Sequence, residues 1–134
     1  MTSVVTEQDG VRAYGRMLNT GDMDEFLALA SPQFRYSSQW VFEELEGLDA
    51  FLGYIGPKLE TVRQHPEAKV FAELAEVNAF GHQHCLVIAQ GARDELVATL
   101  LVSVEDGLIT QAVMCAIPEP SSCKRLGVYP GIDD

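Results

Sequence analysis

Positive charge is scarce in this chain: nine Lys and Arg stand against 20 Asp and Glu, a formal net charge of −11. A surface built for nucleic-acid phosphates or an anionic membrane needs the opposite balance, so neither is expected as a partner. Cysteine is sparse as well. Cys85, Cys115 and Cys123 are odd in number, form no C-x-x-C pair, and two of them sit inside apolar runs. That usage argues against a disulfide framework and predicts reduced, buried thiols in a cytoplasmic protein. No apolar run reaches the ~18–20 residues of a spanning helix. The N-terminal stretch Met1–Glu7 lacks the basic flank and apolar core of a signal peptide. Also missing are a Gly-rich phosphate loop, a nucleophile elbow and a basic–aromatic stripe. Nothing calls for a cofactor.

What is present is an ordinary globular balance, 47% hydrophobic and 22% charged over 134 residues. That is one domain by length, with enough chain to bury a core. The pattern places the core over about residues 6–117 and an extended tail over 118–134, a stretch with three of the six prolines and no periodicity. The tail is expected either to drape over the surface or to fray.

Residues 18–34 order the rest. Thr6 with Asp9 resembles a capping box, and Val11, Tyr14 and Leu18 form one apolar stripe, which predicts a helix from Glu7 to Asn19. Thr20-Gly21 ends it. Asp22 then reads as an N-cap with Glu25 at N3, opening a short helix that Pro32 prevents from continuing. The aromatic-rich run from Phe34 to Leu45 is strand-like, either one bent strand or a hairpin. After Glu46-Gly47, the residues Leu48, Phe51, Leu52, Ile55, Leu59 and Val62 keep helical spacing, with a kink expected at Gly56-Pro57. Four strands follow at Lys69–Phe80, Gln83–Ala89, Glu95–Glu105 and Leu108–Ile117. Their breaks are short, and Asp106-Gly107 is the strongest hairpin signal, so an antiparallel meander is expected. The strand Glu95–Glu105 is apolar on both faces. Helices can cover one face, and a second copy of the chain is the expected cover for the other.

This order of elements resembles that of the NTF2-like superfamily. The stretch Leu18-Asn-Thr-Gly-Asp-Met-Asp-Glu-Phe-Leu-Ala-Leu29 is similar to its commonest signature, and Leu45-Glu-Gly47 before the long helix to its second. The resemblance implies an α+β cone of the NTF2-like or cystatin-like kind, a curved antiparallel sheet wrapped around a long helix with two N-terminal helices. It implies a pocket at the cone's open end and is unspecific for function, because the superfamily holds isomerases, dehydratases, polyketide cyclases, transport factors and binding modules. Ketosteroid isomerases in it use a Tyr on the first helix, a carboxylate base after the first strand and a protonated Asp on a central strand. By this resemblance Tyr14 fills the first role. The base position falls at or near Ser38, and the Asp position near Leu100 or Leu101; neither carries an acid.

Three readings follow. The first is a binder of a small hydrophobic molecule, lined by Tyr14, Tyr36, Ser38, Trp40 and Tyr54, forming a homodimer through the outer sheet face. The second is a SnoaL-like cyclase, isomerase or dehydratase, for which Glu43, Glu44 and His84 are the available acid–base candidates. The third is a protein-interaction module whose pocket is filled by its own side chains. Glu43 and Glu44 point to opposite faces of an extended segment, so at most one enters the cone. His82 and His84, at i and i+2, have chelating spacing without a third ligand in view, so no metal is expected. Tyr54 and Lys58 lie one helical turn apart and can face the cavity together.

Overall fold

A computed structural model describes residues 5–39 and 41–132 and, for residues 41–43, the backbone alone. Helix α1 spans Glu7–Thr20 with the capping box in place: Asp9 N–H donates to Thr6 Oγ1 at 3.2 Å and Thr6 N–H to Asp9 Oδ2 at 2.9 Å. Gly21 closes it at φ 79°, a left-handed conformation that glycine adopts without strain. Helix α2, Asp24–Leu29, starts differently from the expectation. Met23 occupies its N-cap with no side-chain bond, and Asp22 is one residue too early. The Asp22 carboxylate instead accepts from Asp24 N–H at 3.0 Å, a local turn that carries the chain out of α1.

Strand β1 (Ala30–Ser38) and β2 (Val41–Glu46) form an antiparallel hairpin closed by the pair Ser38–Val41, which settles the hairpin over the bent strand. Pro32 lies where the pairing of β1 shifts register between Ala30 and Arg35, a place that tolerates its missing donor. Helix α3 spans Leu48–Gln64 and runs through Pro57 without ending. Four strands follow: β3 (Val70–Ala79), β4 (His82–Gln90), β5 (Leu96–Glu105) and β6 (Leu108–Cys115). At the β5–β6 turn both Asp106 (φ 52°) and Gly107 (φ 78°) are left-handed, as a two-residue hairpin of that sequence requires. A two-residue strand β7 (Lys124–Arg125) completes a seven-stranded sheet in the order β2-β1-β6-β5-β4-β3-β7. The meander is antiparallel; the β1–β6 pairing is parallel and joins the N-terminal hairpin to it.

The two faces of the sheet carry separate apolar clusters. On the inner face α1, α2 and α3 pack against Leu74, Leu86, Leu100 and Val102 through Val11, Tyr14, Met17, Phe26 and Phe51. On the outer face Ala75, Cys85, Val87, Leu101 and Cys115 gather with Cys123, so all three thiols are free and buried. Burial pushes the Cys85 thiol up, with Cys123 beside it as a second cause, and raises Cys115 as well.

The tail is draped, not frayed. Pro118 C=O accepts from Thr99 Oγ1 at 2.8 Å on the outer face, Cys123 inserts into the outer cluster, and β7 pairs with β3. Beyond it Leu74 N–H donates to Val128 C=O at 2.8 Å, and Tyr129 and Pro130 are buried. The tail thus passes from the outer face around the β3 edge to α1. Two polar side chains hold it. Glu73, 4% exposed, accepts from Arg125 Nε (2.6 Å), Gly127 N–H (2.7 Å) and the Tyr129 hydroxyl (3.3 Å). Asn19, at the heart of the Asn-Thr-Gly-Asp signature, donates to Ala72 C=O (2.9 Å) and Pro130 C=O (3.0 Å) and accepts from Ala72 N–H (2.7 Å). It ties α1, β3 and the tail together.

Candidate functional site

Three tyrosines from three elements meet inside the cone. Tyr14 projects from α1, Tyr36 from β1 and Tyr54 from α3. The Tyr36 ring lies 5.5 Å from that of Tyr54 and 5.4 Å from Phe51, and Tyr14 lies 6.0 Å from Phe51. Phe26 and Phe34 close the cluster around Phe51 in tilted and edge-on contacts at 4.8–5.6 Å. Such ring geometry adds to the stabilisation that burial gives. Tyr14, Phe26, Phe34 and Phe51 are at most 1% exposed, Tyr36 is 7% exposed, and Tyr54 is half-buried.

The phenols run as a row from solvent inward. At the outer end exposed Lys58, one turn from Tyr54, donates from Nζ to the Tyr54 hydroxyl at 2.6 Å and sits 4.7 Å over its ring. Further in, burial pushes the Tyr36 phenol up, and the adjacent Tyr54 phenol adds to the shift. Tyr14, at the inner end, is raised well above its ordinary value, first by burial and then by Tyr36 and Tyr54. Protonated phenols of this kind donate hydrogen bonds to a neutral oxygen and do not act as bases at ordinary pH. Among the described residues no carboxylate or imidazole joins these rings.

Other anticipated residues lie elsewhere or beyond view. Ser38 is half-buried at the end of β1, two residues past Tyr36 and across a register shift in the β1–β2 pairing. Trp40 and the side chain of Glu43 lie outside the described residues. Glu44 faces Arg35 at 3.8 Å and accepts from Gln111 Nε2 at 3.4 Å. His84 lies by the first turn of α1, where its N–H donates to Glu7 Oε1 at 2.7 Å, with His82 Nδ1 3.5 Å from Glu7 Oε2. That is seven residues, about two helical turns, from Tyr14. The described residues hold no group of three or more His, Cys, Asp or Glu arranged for a metal. Leu100 and Leu101 are both buried.

A separate groove of about 370 Å3 runs between the end of α1 and the second half of α3, lined among others by Leu18, Met23, Leu59, Val62, Arg63 and Lys69. Tyr14, Tyr36 and Tyr54 are not part of its wall. The groove and the Glu73 anchor escaped the sequence pattern, because both depend on segments far apart in the chain.

Helix-covered curved sheet, hairpin entry and interior rings define an NTF2-like α+β cone. The chain belongs to the SnoaL-like domain family, whose pattern matches residues 11–112. No curated protein matches it. Among solved structures it is similar to an NTF2-like protein of unknown function from Cytophaga hutchinsonii, at 17% identity and a TM-score of 0.58, covering 88% of this chain and 97% of that one. It is also similar to a candidate polyketide cyclase from Sinorhizobium meliloti (15% identity, TM-score 0.53, 76% and 89% covered). A third is a candidate ketosteroid isomerase from Kribbella flavida (22% identity, TM-score 0.51, 77% and 71% covered). At these identities the likeness concerns the fold.

Proposed function

We propose that the protein binds a small, largely apolar molecule at the outer end of the tyrosine row. Tyr36 and Tyr54 orient it, Tyr14 backs them at the buried end of the row, and Ser38 and Trp40 are the expected flanking residues. The row itself carries this reading. Burying a hydroxyl costs free energy unless it is hydrogen-bonded. Phe26, Phe34 and Phe51 demonstrate that plain phenyl rings fill this interior, yet Tyr14 and Tyr36 beside them carry phenols, and Tyr54 stacks on Tyr36. The Tyr36 and Tyr54 hydroxyls bond each other and Tyr54 also takes the Lys58 ammonium, so the outer end of the row gathers polar atoms that an oxygen arriving from outside can join.

The test is thermal denaturation against a panel of aromatic ketones, alcohols and acids. A ligand at a hundredfold excess over its Kd adds about 2.7 kcal/mol and raises the melting temperature by roughly 10 °C. The shift should vanish in Tyr36→Leu. A shift that survives Tyr36→Leu and disappears in Leu59→Trp, which fills the groove beside α3, would move the site there and overturn this assignment.

A rival reading has its own support: the near-complete burial of Tyr14, Phe26, Phe34 and Phe51 suits an interaction module with a filled interior. The cyclase, isomerase or dehydratase reading needs Glu43, Glu44 or His84 to act on the bound molecule, and a reaction that survives their conversion to Gln would remove it. We also propose a homodimer through the part of the outer sheet face left beside the tail, where Val97 is 49% exposed. Sedimentation equilibrium of a monomer at high concentration would exclude it.

A further inference from the structure

Lys58 stands at the solvent end of the tyrosine row. In a chain of net charge −11, cations find acids readily. Arg16 lies 3.9 Å from both Asp22 and Glu25, Arg35 3.8 Å from Glu44, and Lys124 3.8 Å from Glu76; Arg63 pairs with Glu60 and Arg125 with Glu73 and Asp94. Among the described residues neither Lys69, whose ammonium lies 5.4 Å from the Phe71 ring centre, nor Lys58 makes such a pair. The Lys58 ammonium instead rests on the Tyr54 hydroxyl at 2.6 Å. An ammonium has three donors, and Tyr54 takes one. Two remain, beside a phenol that accepts from the lysine and shares a hydrogen bond with Tyr36. A carboxylate meets both kinds of donor, since it accepts from an ammonium and a hydroxyl together.

We propose that the molecule bound at the tyrosine row carries a carboxylate, that Lys58 receives it, and that the apolar body of the molecule packs on the Tyr54 and Tyr36 rings. This rests on the small-molecule reading above and adds the ligand's charged group to it. The alternative headgroups, a neutral ester or alcohol, satisfy Tyr54 but leave the ammonium's remaining donors to water.

Calorimetric titration of the intact protein with benzoate, 2-naphthoate and decanoate, each beside its methyl ester, tests the proposal. The acids should bind about five- to tenfold more tightly than the esters, the range expected of one charged hydrogen bond at a partly exposed site. Lys58→Met, which keeps the aliphatic stem, should erase that preference while changing ester affinity less than twofold. Lys58→Arg should keep it. Raising the salt concentration should weaken the acids alone. Acids and esters bound equally by the unaltered protein, or an equal loss of both in Lys58→Met, would overturn the carboxylate and leave the small-molecule reading standing. Failure of all six compounds to bind would overturn both.

Discussion

The inner face of the sheet meets three helices and a cluster of interlocked rings from α1, α2, β1 and α3, whereas the outer face meets mainly the chain's own C-terminal tail over three thiols. Both bury apolar surface, but the burial is organised differently. Inside, Phe51 alone contacts Tyr14, Phe26, Phe34 and Tyr36, so each element's position depends on the others. Outside, the tail is held by a few polar bonds that converge on Glu73 and Asn19. The inner face should therefore fail as a whole, and the outer face locally, by release of the tail.

The sharpest break of this contrast is Phe51→Ala. Removing a fully buried ring costs about 3–5 kcal/mol, and calorimetry should record one cooperative transition at a much lower temperature. Two separated transitions would contradict an interlocked interior. Next comes Glu73→Gln. It weakens three bonds to a carboxylate that is 4% exposed, so about 2 kcal/mol is expected. Hydrogen exchange should show Leu126 and Gly127 amides losing protection while β5 keeps its own. Uniform loss across the sheet would mean that the tail is not a separate unit.

The smallest effect at neutral pH belongs to Tyr14→Phe, under about 1 kcal/mol, because the ring's packing is retained. Its signature is alkaline. Tyr14 and Tyr36 hold their protons above the ordinary phenol value of 10, through burial first and neighbouring phenols second. Their contribution to stability is complete below pH 10 and is lost as pH rises beyond it, since the unfolded chain then releases protons that the folded one keeps. Tyr14→Phe removes one such group and should flatten the loss above pH 10 by about 1.4 kcal/mol per pH unit. Coincident alkaline unfolding curves by circular dichroism would refute this burial.

The legible parts of the molecule are those with local causes. Thr6 and Asp9 cap α1 across three residues, the Leu48–Val62 stripe keeps its period through Pro57, and Asp106-Gly107 turns the chain within two. Tyr14 was readable as a candidate because the signature's register placed it, Tyr36 because it neighbours Ser38 on the aromatic strand, and Tyr54 because it lies one helical turn from Lys58. Their ring contacts were not, since the three come from separate elements. Asp22 misled by one residue: capping preference is shared between neighbouring acids, and the path out of α1 decided between them.

Residue order by itself thus determined the succession of elements, the two-sided apolar character of the central strands and the family signature. Only the tertiary structure decided what covers the outer face, where the tail runs and why Asn19 stands in the signature. The physical reason is range. Caps, turns and helical stripes are interactions across two to four residues, which a pattern records directly. The bonds of Asn19 to Pro130 and Glu73 to Arg125 span 111 and 52 residues, and no local spacing encodes them.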